Sequence, residues 1–375
     1  MFFCSLFGLL AVAGWTYLAL APGMFWVPVM PRNDTAPAQW PSVDIVVPAR
    51  NEADALPKTL PSLLAQDYAG EWRVILVDDH SGDGTSDVAQ KIAEEAGKSA
   101  RLTIIAAPDL AEGWSGKVAA MNAGAAQGTS EMILFTDADI LHMPSHLRRL
   151  VSRAEAGKLD LVSRMVLLNC ATFAEKLLIP AFVFFFAMLY PFRRVNDPQS
   201  KVAGAAGGVM LLRRAMLDKI GGMGCIKSAL IDDCSLADAV KAVGRIELTL
   251  TREAESLRLY PHIEDVQRMV SRTAYTQLKL SPWLLIGTIV AMAVLYAVPP
   301  FFFVFAPGWL PFLSAVVCEL VMTVLYLPTV RFYGLPWVWA LTLPFAALIY
   351  GVATLDSARL YYQGRGGQWK GRTQA

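Results

Sequence analysis

The sequence predicts an α/β domain of the doubly wound type set beside transmembrane helices, and three observations predict it. Two acidic clusters each close an apolar run of β character: Val74-Ile75-Leu76-Val77-Asp78-Asp79-His80-Ser81-Gly82-Asp83-Gly84-Thr85 and Met132-Ile133-Leu134-Phe135-Thr136-Asp137-Ala138-Asp139. Continuous apolar runs of this kind read as strands buried on both faces, as in a parallel sheet. Strand, loop, helix and strand then alternate between residues 43 and 106, the rhythm of right-handed crossovers. Hydrophobic residues make up 55% of the 375-residue chain and charged residues 17%, a balance that belongs to a membrane. The formal net charge of +1 gives no reason to expect nucleic acid as a partner.

Taken in order, residues 2–20 are uncharged, apolar and long enough to cross a bilayer. No basic segment precedes them and no small-residue cleavage site follows, so residues 1–27 are expected to be an anchor and not a signal peptide. Residues 28–42 are a Pro-rich connector. The mixed-polarity region 43–280 is long enough for one domain with its own core. Residues 281–358 are almost wholly apolar, with spans expected at 282–306, 309–330 and 336–353, and residues 359–375 form a basic tail. The five cysteines (Cys4, Cys170, Cys225, Cys234, Cys318) lack metal-site spacing and read as buried thiols.

Inside 43–280, Val43-Asp44-Ile45-Val46-Val47 is a first strand, stopped by Pro48, and Ala49-Arg50-Asn51-Glu52 is a polar loop. Leu56, Leu60, Leu63 and Leu64 share one face of the helix that follows. The second strand ends at Asp79, and residues 103–106 make a third. Ligands of such sheets sit outside the carboxyl ends of the strands, where both acidic clusters fall. An Asp-x-Asp there suits a hard cation shared with a substrate's phosphate oxygens; for one cluster alone, a solvated loop explains as much.

Gly113-Trp114-Ser115-Gly116-Lys117 resembles half a phosphate-binding loop opening a helix over 117–126. It departs from the Walker pattern at Ala111 and Val118, yet helix-start N–H groups with Lys117 as a point charge suit a diphosphate. Gly207-Gly208 opens another apolar run and permits close approach of a ligand. Leu230-Ile231-Asp232-Asp233-Cys234 is a third acidic pair, before a helix with Leu236, Ala239, Val240 and Val243 on its apolar face. An N-cap is the simpler reading of that pair. Arg268 and Arg272, at i and i+4, share a helix face that could meet solvent, lipid headgroups or a leaving diphosphate.

Together these segments resemble a membrane-anchored family 2 glycosyltransferase with the Rossmann-like nucleotide-diphosphosugar fold called GT-A. The carrying residues are Val46-Val47-Pro48-Ala49-Arg50-Asn51-Glu52, Val77-Asp78-Asp79-His80-Ser81, Lys117 with Asn122, Asp137-Ala138-Asp139, and Asp232-Asp233. The motif set and flanking spans are most similar to the hopene-associated glycosyltransferases and more distantly to ceramide glucosyltransferase. The resemblance implies that Pro48, Ala49 and Glu52 line the nucleotide pocket, and that Asp79 hydrogen-bonds the base, most often uracil. It implies that Lys117 and Asn122 lie beside the nucleotide and that Asp137 reaches the ribose or the metal. Asp139 would coordinate Mg²⁺ or Mn²⁺ bridging the diphosphate, and Asp233 would be the general base with Asp232 its acidic neighbour. Arg268 and Arg272 would serve the leaving group. Polymerising members carry Gln-x-x-Arg-Trp, however, and Gln267-Arg268-Met269-Val270-Ser271-Arg272-Thr273 has neither that spacing nor the Trp, which argues against processive synthesis.

The implied reaction is inverting transfer from a nucleotide sugar, a UDP-sugar, to a membrane lipid acceptor, in hopanoid or glycolipid biosynthesis. The implied setting is the cell's inner membrane, crossed several times, with the catalytic domain cytoplasmic. Transfer to polyprenyl phosphate is the alternative enzyme reading, and a transporter subunit with a nucleotide-binding domain the alternative class. Glu319 is the one acidic residue inside the expected spans, poor equipment for a transport path. Arg359, Arg365, Lys370 and Arg372 predict a cytoplasmic tail, which requires one C-terminal segment, around Pro299-Pro300, to be re-entrant or interfacial. Residues 177–192, apolar all round and flanked by Lys176 and Arg193-Arg194, are expected to form an entry lip for lipid. A buried core helix is the competing reading.

Overall fold

The computed structural model describes residues 2–369 and 372–373, and the chain divides into two units. Lys370, counted above toward a basic tail, lies outside the described residues.

The sheet unit contains Val29–Asn169 and Arg194–Arg258. Its strands are β1 (Val43–Ala49), β2 (Trp72–Asp78), β3 (Leu102–Ala106), β4 (Met132–Thr136), β5 (Ile140–His142), β6 (Leu161–Leu167), β7 (Val209–Arg213) and β8 (Ile246–Ser256). They form one sheet in the order β3-β2-β1-β4-β7-β6-β8-β5. β1 is parallel to both β2 and β4, and β2 to β3, because helices Leu56–Leu64, Thr85–Glu95 and Gly116–Gln127 carry the chain back between them. β7 runs antiparallel to β4 and β6, and β5 antiparallel to β8. The sheet is therefore mixed where the sequence predicts a parallel one. An apolar run buried on both faces reports its burial but not its direction.

Every residue of β1 is buried, and burial of its apolar side chains anchors the sheet's core against Leu56, Leu60, Leu63 and Leu64. Pro48 is tolerated in this central strand because pairing to β4 stops at Val46↔Phe135, while pairing to β2 runs on to Ala49↔Asp78. The same parting of β1 from β4 marks the point where strand order reverses, and it opens the crevice that such folds use. At Gly124 a Cβ would overlap Val46 and stand 2.9 Å from Val77, so glycine sets the close approach of the Gly116–Gln127 helix to the sheet. The opposite end of β1 is pinned by Asp44, fully buried yet answered by Arg73 (2.7 Å), Arg214 (2.9 Å) and the Ser130 N–H (2.8 Å).

The helical unit contains the first helix, Cys170–Arg193, and the chain from Leu259 to Gly367. Among the described residues, four helices are long and apolar enough to cross a membrane: Phe2–Leu20, Pro282–Phe305, Trp309–Phe332 and Trp337–Tyr362. The helix runs on through Pro299-Pro300, the place named above for a re-entrant or interfacial segment. A π-helical stretch, Ala293–Ala297, precedes the prolines. Pro299 has no N–H for the Leu295 carbonyl four residues back, and the buried Trp15 indole donates to that carbonyl at 2.9 Å. Gly14 lets the two helices meet, since a Cβ there would stand 2.5 Å from the Leu295 side chain.

Residues 177–192 do not form the expected lip. Their helix, Phe173–Leu189, groups with the helical unit. Phe184 is fully buried against Phe25 and Tyr326, and Phe185 packs edge-on to Tyr296 and Tyr350. The aromatic cluster is thus core, as all-round apolarity in a helix ordinarily means. Glu175 begins this helix in a capping box with Thr172, and its buried carboxylate accepts from the N–H groups of Ala171, Thr172 and Tyr260. The cysteines are not uniformly buried either: Cys318 is, Cys225 is exposed and the others are half-buried.

Candidate active site

Two loops at the carboxyl ends of β1 and β2 are sewn together. Arg50 donates to the Asp79 carbonyl (2.6 Å) and lies 3.4 Å from its carboxylate. The N–H groups of Asn51, Glu52 and Ala53 donate to Ser81 Oγ, Thr85 Oγ1 and Asp83 Oδ2 at 2.9 to 3.0 Å. Asn51 returns a side-chain oxygen to the Gly82 N–H at 2.9 Å. Asn51 and His80 take positive φ angles of 52° and 55°, a conformation that Asn and His adopt more readily than most residues. Asp78 accepts from the Ser81 N–H (2.9 Å) and the Ser86 hydroxyl (2.5 Å). Asp79 is 2% exposed and also meets His80 Nδ1 at 3.2 Å. Pro48, Ala49 and Glu52 thus border a cradle whose rigidity comes from Arg50, Asn51, Asp83 and Thr85. All four stand in segments that the sequence singles out, Arg50 and Asn51 in the loop after β1 and Asp83 and Thr85 in the first acidic cluster.

A second cluster gathers residues from three distant stretches of chain. Ser115 caps the Gly116–Gln127 helix, accepting from the Val118 N–H, and Lys117 follows in its first turn. Lys117 Nζ lies 2.9 Å from Asp137 Oδ1 and 3.2 Å from Asp232 Oδ2. Asp137 and Asp139 sit in the turn joining β4 to β5, and Asp232 and Asp233 in the first turn of helix Asp232–Lys241. The capping reading of that pair describes it only in part, because Ile231 holds the cap position. Asp233 accepts from the next N–H, Cys234 (2.7 Å), and across the cluster from the Gly207 N–H (2.8 Å). A Cβ at Gly207 would stand 3.2 Å from Lys117 Nζ and 3.4 Å from Asp233 Oδ2. Glycine there makes room for the protein's own charges.

The electrostatics of the cluster are unbalanced. Burial would lower the Lys117 ammonium's pKa, but Asp137 and Asp232 hold it above the usual lysine range. Burial, then the charges of Asp137 and Glu52, push Asp139 up to about 6. Burial, then Asp232, pushes Asp233 up to about 6. These shifts report crowded carboxylates whose repulsion and burial outweigh the opposing charges of Arg258 and Lys117. Among the described residues no three His, Cys, Asp or Glu side chains form a metal cage. Asp137 and Asp139 are the side chains that would suit a hard cation sharing a substrate's diphosphate oxygens, the ordinary mode for Mg²⁺.

Behind the cluster runs a buried chain that the sequence did not suggest. Thr136 donates to the Gly208 carbonyl (2.7 Å) and meets His142 Nε2 (2.9 Å), and His142 Nδ1 meets His146 Nδ1 (2.9 Å). One tautomer set satisfies it: His146 Nδ1–H donates to His142, and His142 Nε2–H donates to Thr136. Burial pushes His142 down to about 3 and His146 well below the usual histidine range, so both rings are neutral. Since Gly208 follows Gly207, this chain fixes the N–H that holds Asp233.

Asn122 is turned away from Lys117 on their shared helix. It lies five residues beyond Lys117, about 140° around the helix, and makes no side-chain hydrogen bond among the described residues. Arg268 and Arg272 belong to the helical unit, where Arg268 pairs with Asp265 on its own helix.

Comparison with known proteins bears on the fold and on the family of the sheet unit. Residues 44–221 match the family described as Glycosyl transferase family 2. An N-acetylglucosaminyltransferase of Mesorhizobium japonicum is 32% identical over 117 residues, which are 31% of this chain and 26% of that protein. An undecaprenyl-phosphate 4-deoxy-4-formamido-L-arabinose transferase of Salmonella paratyphi A is 29% identical over 126 residues, 33% of this chain and 36% of that protein. The matches thus span about a quarter to a third of these relatives' length. A mannosyltransferase from Pyrobaculum calidifontis, solved with GDP-Man and Mn²⁺, superposes with a TM-score of 0.59 at 17% identity, covering 93% of this chain and 99% of its own. Residues 44–221 are therefore a family 2 glycosyltransferase domain, on a GT-A fold whose sheet is mixed and whose crevice carries the Lys117–aspartate cluster.

Proposed function

We propose that the protein is an inverting glycosyltransferase that moves a sugar from a nucleoside diphosphate, UDP in the first instance, to the hydroxyl of a membrane lipid. What carries the reading is Asp233, a carboxylate clamped by two N–H groups and made more basic than usual by its surroundings. A hydroxyl acceptor needs such a base within hydrogen-bond reach. The cradle of Pro48, Ala49, Glu52 and Asp79 would hold the nucleoside, and Asp137 and Asp139 would hold Mg²⁺ or Mn²⁺. The ion would supply charge neutralisation at the leaving diphosphate. Lys117 bridges Asp137 and Asp232, and Asp232 keeps its neighbour basic. Transfer develops oxocarbenium character, as in glycoside cleavage, and a single base opposite the leaving group gives inversion. The four apolar helices support a lipid acceptor, with the sheet unit on the cytoplasmic side where nucleotide sugars are made. The hopene-associated resemblance makes a hopanoid the first acceptor to try.

A second reading, transfer to polyprenyl phosphate, is favoured by the likeness to an undecaprenyl-phosphate transferase. A phosphate acceptor is already ionised and needs no base. Purified protein incubated with labelled UDP-sugars and membrane lipid tests both. An acid-stable lipid glycoside that disappears with Asp233→Asn supports the first reading. An acid-labile product that survives the substitution supports the second and rejects the first.

A further inference from the structure

Away from the aspartate cluster, the sheet unit has a cavity of about 140 Å³ lined by Val29, Met30, Arg32, Arg153, Arg245 and Thr249, with Lys241 and Glu247 beside them. Its lining charges are four cations against one carboxylate. Glu247 is also the best-neutralised of them, since Arg153 (2.7 Å) and the buried Arg164 (3.0 Å) both pair with it. Lys241 spends two of its donors on the Val195 and Asp197 carbonyls. Arg32 and Arg245 are exposed at the rim, and among the described residues neither guanidinium makes an ion pair. At the wall stands Thr249, 2% exposed, whose hydroxyl has no hydrogen-bond partner. A buried hydroxyl left unpaired costs free energy that a polar ligand recovers.

We propose that this cavity is a phosphate-binding site, with Arg32 and Arg245 as its guanidinium clamp and the Thr249 hydroxyl as an interior donor. Guanidinium pairs match phosphate oxygens through parallel hydrogen bonds. The cavity holds a phosphate group but not a nucleoside, for which pockets of roughly 300 Å³ or more are usual. Its ligand is therefore not the proposed donor. The phosphate has two possible sources, a free anion or a phospholipid headgroup. Val29, in the wall, follows the first apolar helix by nine residues, a tether of at most roughly 30 Å, so a bilayer phosphate is within reach of the chain.

The test uses the full chain. Inorganic phosphate is titrated calorimetrically into detergent-solubilised protein, and thermal melting is followed in phosphatidylcholine nanodiscs with and without phosphatidylglycerol. The wild type is expected to bind phosphate or to be stabilised by phosphatidylglycerol. The response is expected to weaken about tenfold or more in Arg32→Gln, Arg245→Gln, which removes two charge-assisted contacts. Thr249→Val should cost about threefold, one neutral hydrogen bond, and UDP affinity should be unchanged in both. A response to phosphatidylglycerol alone assigns the site to a headgroup, and a response to inorganic phosphate assigns it to a soluble anion. No response to either, or an equal response in the double variant, overturns the proposal. If the double variant misfolds, Thr249→Val decides, an unchanged response there being the overturning result.

Discussion

The strands flanking β1 each end in aspartates, and the two groups meet opposite fates. At the end of β2, Asp78 is answered by Ser81 and Ser86, Asp79 by Arg50 and His80, and Asp83 by Thr85 and Ala53. Asp78 and Asp83 are consumed in holding two loops in place, and Asp79 is tied to the same loops at the edge of the proposed nucleoside cradle. At the end of β4, Asp137 and Asp139 gather with Asp232 and Asp233 around Lys117, which pairs with Asp137 and Asp232, while Arg258 acts on Asp139. Saturation by the protein's own donors marks an aspartate as scaffolding. A local excess of carboxylate, which folding alone would not select, is what the proposed cation and the proposed base would use.

The largest effect expected from this contrast is at Asp233. Asp233→Asn keeps the shape and loses the basicity, so kcat should fall about 10²–10⁴-fold with UDP affinity unchanged. Single-turnover transfer beside equilibrium UDP titration measures the two separately. Activity above a few per cent of wild type would put Asp233 with the scaffolding group.

Asp139→Ala should be next. Removing one of two carboxylates from the cation's side should cost about 10–100-fold in metal-dependent UDP affinity, the range seen when metal-site groups are removed. UDP titrated with and without Mn²⁺ reads it out. An equal Mn²⁺ enhancement in variant and wild type would break the metal assignment.

The pH profile sharpens the comparison further. Asp233 is held up to about 6, so its basic form is present at pH 7 and is protonated as pH falls through 6. At saturating metal, transfer should drop about tenfold between pH 7 and pH 5, following the ionised fraction. Asp83 behaves oppositely: burial would raise its carboxyl, but hydrogen bonds from Thr85 and Ala53 hold it below the usual range. A profile flat down to pH 5 would contradict the raised basicity of Asp233.

How much of this the sequence made legible differs between the same two regions. The buried runs ending at Asp78 and Thr136 were readable because apolar residues continue without a break, and their aspartates because they terminate those runs. The first strand was readable too, but it passes Pro48 and ends at Ala49, whereas the sequence predicts a stop at the proline. The direction of β7 was not, because Val209–Arg213 is buried either way. The Gly207–Asp233 hydrogen bond joins residues 26 apart through a backbone N–H, which no side-chain pattern encodes. Thr136 and His142 lay within strand-like segments, and His146 opens a helix, so no single periodicity linked them. Residues 177–192 misled because a core helix and a membrane-surface helix share an apolar composition, and only packing partners such as Tyr326 and Tyr350 separate them.

The smallest expected effect lies in the saturated region, where it serves as the control on the whole contrast. Asp83 accepts from the Thr85 N–H and hydroxyl and from the Ala53 N–H, so Asp83→Ala frees loop donors that water can then reach. The cost should be about 1 kcal/mol, the net worth of exposed hydrogen bonds of this kind, or a melting shift of about 2–4 °C in a domain of this size. Because its folded-state carboxyl sits below the usual value, that stabilisation is full above about pH 4 and is lost as pH falls further. A looser cradle should raise KM for the nucleotide sugar a few-fold and leave kcat alone, since no reacting atom is touched. Melting curves beside steady-state kinetics separate these outcomes. A collapse of kcat with an unchanged melting temperature would mean that an aspartate saturated by the protein can still be part of the chemistry, and the distinction between the two clusters would fail.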